Sequence, residues 1–100
     1  MAAISDTIVK TTEFGGDYKI QILTATLTSA SDTIVLTEAD NGISEIVFAD
    51  AHLTAGMDAE CCAVQTSYSS LTITIVTKNA AGTASTAWTD TTVEVLVIGK

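Results

Sequence analysis

The segments LTITIVTK (residues 71–78), NAAGTASTAWTD (79–90) and TTVEVLVIG (91–99) decide the fold class. In the first, Leu71, Ile73 and Ile75 alternate with Thr72 and Thr74. Alternate side chains of a strand point to opposite faces, so this run has one buried face and one wetter face. In the third, Val93, Val95 and Val97 alternate with Glu94, Leu96 and Ile98, and the second face turns apolar toward the end. We read the two runs as the strands of a hairpin. The loop between them, Asn79, Ala80, Ala81, Gly82, Thr83, Ala84, Ser85, Thr86 and Ala87, has no large side chain. Such a loop is expected to lie flat against another surface. Trp88, the only tryptophan, is expected to plug one end of the core with its indole N–H on a backbone carbonyl.

The rest of the chain has the same β bias. It is rich in Thr, Val and Ile and has no proline and six glycines, so its turns must come from Asp, Asn, Ser and Gly. One hundred residues make a single domain, 1–100, with no room for a second core. Only five aromatic residues are present in that length, so Ile, Val and Leu must fill the interior.

Upstream, Ile4 to Lys10 reads as a first edge strand, with residues 1–5 as an N-terminal arm. Phe14-Gly15-Gly16-Asp17 is a turn signal. Tyr18 to Thr28 is the longest strand. Its apolar set is Tyr18, Ile20 and Ile22 at first, then Leu23, Ala25 and Leu27, a slip of one residue that predicts a bulge or bend near Ile22 to Thr24. Thr33 to Thr37 is a short strand with Ile34 and Leu36 inward. Asn41-Gly42 is a hairpin signal, and Ile43 to Ala49 a strand with Ile46 and Phe48 on one face and Ile43 and Val47 on the other. Residues 50–59 are read as a loop leading into a strand from about Asp58 to Thr66, and Ser67 to Ser70 as a turn. About seven short strands at this spacing predict an all-β fold, an antiparallel β-sandwich or small barrel.

The charge narrows the function. A net charge of -8 with only four lysines, Lys10, Lys19, Lys78 and Lys100, argues against nucleic acid and against anionic membranes as partners. No apolar run approaches the roughly 20 residues of a membrane span. No signal peptide is read at the N-terminus, which points to folding in a cytoplasm.

No catalytic or metal constellation is read either, and no cofactor is expected. Cys61 and Cys62 are adjacent and point to opposite faces of a strand, so we read two free thiols. His52 is the only histidine and has neither a metal-pair partner nor a nucleophile elbow around any serine. Asp50, Asp58 and Glu60 read as a solvated acidic surface, and Asp40-Asn41-Gly42 lacks the spacing of a calcium loop. The chain is not read as an enzyme. Apolar residues left on second faces, Leu96, Ile98, Ile43 and Val47, call for a cover; self-association is the economical one, and a homo-oligomer, a trimer, is expected.

The loop N-A-A-G-T-A, the W-T dipeptide and the final V-x-V-L-V-I-G strand resemble the ends of small virion structural proteins of tailed bacteriophages. These are capsid decoration (cement) proteins and similar proteins of cyanophages and other marine phages. The resemblance covers about thirty residues closely. It implies a cofactor-free β protein, often trimeric, assembled in the host cytoplasm and seated on the capsid surface with the major capsid protein as partner. The contacts expected on that reading are the arm Met1, Ala2, Ala3, Ile4 and Ser5, the loop Asn79 to Thr86, and the face at Leu96 and Ile98. Two other readings stay open: a tail, baseplate or fibre component, and a carbohydrate-binding β-sandwich module using Tyr18, Tyr68 and Trp88.

Overall fold

A computed structural model describes residues 2–4, 6–14, 18–56, 61–86 and 91–100, the side chains of 2–3 and 9–14 excepted. The chain is an all-β sandwich. Its elements are β1 (Ala2–Ala3), β2 (Asp6–Phe14), β3 (Tyr18–Thr26), β4 (Ser31–Val35), α1 (Glu38–Asn41), β5 (Ile46–Ala55), β6 (Ala63–Ser69), β7 (Thr72–Lys78) and β8 (Thr92–Gly99). One sheet has the order β2-β3-β8-β5 and is antiparallel throughout. The other has the order β1-β4-β7-β6, antiparallel except for the two-residue β1, which runs parallel to β4.

The core is made by alternation. Val93, Val95 and Val97 of β8 are fully buried, and the register sets Ala25, Leu23 and Gln21 of β3 beside them on one side and Leu53, Ala51 and Ala49 of β5 on the other. Ile34, Ile73 and Ile75 face them from the second sheet, with Leu36, Ile43 and Cys61 filling the ends. Each such aliphatic side chain contributes about 1.5–3 kcal/mol by leaving water. The second sheet alternates cleanly: Ile73, Ile75 and Thr77 are buried while Thr72, Thr74 and Val76 are half-buried.

Several expectations change. The runs 71–78 and 91–99 are strands as read, but not a hairpin. β7 pairs with β4 and β6, whereas β8 pairs with β3 and β5, so the segment between them crosses from one sheet to the other. The bulge expected near Ile22 to Thr24 is absent, because β3 pairs with β8 without interruption from Lys19 to Thr26. The irregularity lies on the neighbouring strand, between Ile8 and Lys10. Asn41-Gly42 closes no hairpin. It ends α1, where Thr37 caps the first turn, Gly42 takes a left-handed conformation at φ 69°, and its N–H bonds Glu38 O. Residues 50–55, read as loop, continue β5. Ile43, read as exposed on a second face, is fully buried. Ile46 and Phe48 do not share a face: a register shift between them turns Ile46 inward and leaves Phe48 exposed. Trp88 lies outside the described residues.

Two polar devices hold the sandwich in shape. Asp32, fully buried at the start of β4, accepts hydrogen bonds from the N–H and hydroxyl of both Thr28 and Ser29, at 2.6–3.3 Å. The open side is closed by side chains in place of a ladder: Ala51 N–H donates to Thr66 Oγ1 at 3.1 Å, and the Tyr68 hydroxyl donates to Val47 O at 2.6 Å.

Asp32→Ala strands two backbone N–H groups and is expected to cost about 2–4 kcal/mol, read as a lowered urea midpoint at unchanged m-value. Gly99 is packed so closely that an added Cβ would lie 2.6 Å from Ile43 Cγ2 and 2.7 Å from Glu45 O. Gly99→Ala is therefore expected to destabilise by about 1–3 kcal/mol in the same assay.

Candidate functional site

Two surfaces stand out. The first is the loop of residues 79–86. It is exposed at Ala80, Ala81, Gly82, Thr83, Ala84 and Thr86, and it is braced from within by Asn79. The Asn79 side-chain oxygen accepts from Ala81 N–H, Thr83 N–H and the Thr83 hydroxyl, at 3.0–3.1 Å. Asn79 N–H donates to Thr83 O, and Gly82 N–H donates to Asn79 O. Gly82 adopts φ 82°, which a side chain would strain, with nothing within 4 Å of the Cβ position. Ala84 bridges back to Lys78, and Ser85 turns inward beneath the loop, 5% exposed. The outcome is an exposed loop of small side chains that its own hydrogen bonds hold in one conformation.

The second surface is the outer face of β3, β8 and β5. Register places Ile20, Ile98 and Phe48 side by side in one row and Ile22, Leu96 and Asp50 in the next. Phe48 is 46% exposed, Val47 41% and Leu96 38%, while Ile20, Ile22 and Ile98 are half-buried. Toward one end the face is cationic: Lys100 Nζ stands 5.5 Å above the ring of Tyr18. Toward the other end it is acidic, with Glu94 next to Leu96 along the strand and His52 Nε2 3.7 Å from Glu94 Oε1.

Of the residues expected to make contacts, Leu96 and Ile98 lie on this face, and 79–86 form the braced loop with only Ser85 hidden. The remaining group, at the N-terminus, is docked on its own chain. Ala2 and Ala3 pair with Asp32 and Thr33, and half-buried Ile4 donates its N–H to Thr33 O at 2.8 Å. Met1 and Ser5 lie outside the described residues. Ile20, Ile22 and Phe48 were not expected on the outer face. The signal for the first two was Gln21 between them, whose amide is buried against Asn41 and forces its neighbours outward.

Two of the aromatic residues considered for sugar stacking are engaged within the chain. Lys100 covers Tyr18, the Tyr68 hydroxyl is bound to Val47 on the sheet seam, and Trp88 is outside the described residues. His52 is on β5 and exposed, not in a loop. Cys61 is buried and Cys62 half-buried, and neither is in a disulfide. Among the described residues no group of three His, Cys, Asp or Glu is close enough to share a metal ion. No family model matches the chain, and no curated protein or solved structure is significantly similar to it.

One carboxyl is perturbed. Burial pushes Asp6 above its ordinary value of 3.8, a backbone hydrogen bond opposes the shift, and the charge of Asp40 adds to it. A raised folded value means that the folded chain holds the proton more tightly than the unfolded one. The group's contribution to stability is then full below the unfolded value and is lost as pH rises through the folded value. Asp6→Asn is expected to raise the urea midpoint at pH 7, and the gain is expected to vanish by about pH 3.

Proposed function

We propose that the chain is a structural protein of a tailed-phage virion that seats on the outside of the capsid, self-associates and braces the head. Its partners on this reading are the major capsid protein and further copies of itself. The observation that carries the proposal is the braced loop. Binding a flexible loop costs ordering entropy at each contact, and Asn79 has already ordered this one. A surface of small side chains and backbone excludes water from a flat lattice without requiring a pocket on the other side. Repeated round the symmetry of a head, many such weak contacts give avidity. The net charge of -8 suits an outer surface and would be repelled by packaged DNA. The resemblance of residues 71–99 to phage decoration proteins agrees with this role.

The test is cosedimentation with purified heads that lack the chain. The wild-type chain is expected to saturate the heads. Ala81→Trp, which puts a bulky ring on the flat loop without touching the core, is expected to weaken binding at least tenfold, with an unchanged circular dichroism spectrum. Sedimentation with isolated tails and not with heads would move the chain to the tail. Binding to neither would end the virion reading.

A further inference from the structure

We infer that the outer face of β3, β8 and β5 is a two-fold interface between copies of this chain. Its apolar rows meet at the centre, and Lys100 of each copy stands over Glu94 of the other. This deepens the self-association in the reading above, and replaces with a two-fold the three-fold that the resemblance implies.

The argument is one of charge and register. Along β8 the outward residues are Thr92, Glu94, Leu96 and Ile98, and Lys100 follows the strand directly, so that from Glu94 the order runs from acid through two aliphatic residues to base. Such a sequence is complementary to itself when reversed. A two-fold axis crossing β8 at Val97, perpendicular to the strands, lays Ile98 over the second copy's Leu96 and Lys100 over its Glu94. Because Val97 is in register with Gln21, the same axis lays Ile20 over the second copy's Ile22. Every pairing occurs twice, as a two-fold interface requires. A parallel stacking of the two faces would instead set Lys100 on Lys100 and Glu94 on Glu94, so charge selects the antiparallel arrangement. Sheets that pack face to face keep their strands within about 30° of each other, which keeps the central rows in contact and lets the margins diverge. Phe48 and Asp50 face each other at that margin, an unmatched row of the pairing.

The size of the face sets the strength of the pairing. Three strands about 4.8 Å apart and a run of about 30 Å give roughly 430 Å². Standard interfaces bury about 800 Å² per partner, so this one is small, and the pair is expected to form only at high micromolar concentration and to dissociate on dilution.

Sedimentation velocity of the purified chain alone, at about 20 mM salt so that the rim charges are not screened, tests this. A concentration-dependent dimer is expected. Leu96→Glu is expected to weaken it at least 100-fold. Lys100→Glu and Glu94→Lys, each alone, should weaken it at least fivefold, and the double variant should return to within about threefold of wild type, since reversing both members restores each pair. Circular dichroism and the urea midpoint show that each variant is folded. A monomer at about 200 µM, a trimer, or a double variant no better than its singles overturns the inference. Heads are not needed, so loss of head binding with an intact dimer would count against the capsid reading alone.

Discussion

Gln21 is an amide buried in a row of aliphatic side chains, and its two hydrogen bonds with Asn41 fix which face of β3 is the inside. The constraint is needed because β3 has apolar residues in both phases. A slip of one residue would put Ile20 and Ile22 in the core in place of Leu23 and Ala25, at little loss of apolar burial. The slipped register would turn Gln21 out to water and leave the buried Asn41 without its partner, and a buried polar group without a partner costs about 1–3 kcal/mol. Asn41 is in turn positioned by α1, where its side chain accepts from Thr37 N–H. One short helix between the sheets thus sets the phase of a strand twenty residues away. Through the register of β3 with β8, it also sets the composition of the outer face.

The fold class was legible because period-two alternation is a local signal. Leu71, Ile73 and Ile75 are inward, as are Val93, Val95 and Val97. Partner choice was not legible. Two amphipathic strands near one another in sequence look the same whether they pair or sit in opposite sheets, and residues 79–91 are long enough for either. Asn41-Gly42 misled for a related reason: a glycine at positive φ serves a hairpin turn and a helix end equally. The apparent slip in β3 was read as a backbone irregularity because an apolar residue was taken to be an inward one. It was instead the outline of the second surface.

The site was legible in part. The loop of residues 79–86 declared itself by lacking large side chains, although the role of Asn79 as its brace depends on geometry that spacing does not carry. Leu96 and Ile98 were visible as surplus apolar residues on a strand already supplied with valines. Phe48 was assigned to the face of Ile46 because a register shift at Val47 leaves no mark in the residues themselves. Lys100 and Glu94 become complementary only once β8 is known to present them on one face.

The seam between β5 and β6 bears on how a chain of this kind stays out of fibres. Strand edges are templates: exposed N–H and C=O groups invite another strand, and each addition offers a fresh edge, so growth has no natural end. Here the Val47 carbonyl is bonded by the Tyr68 hydroxyl and the Ala51 N–H by Thr66. Polar groups that would otherwise be offered to a stranger are occupied within the molecule, by side chains that add no new edge. At this seam the molecule satisfies its own edge groups and leaves no fresh edge behind.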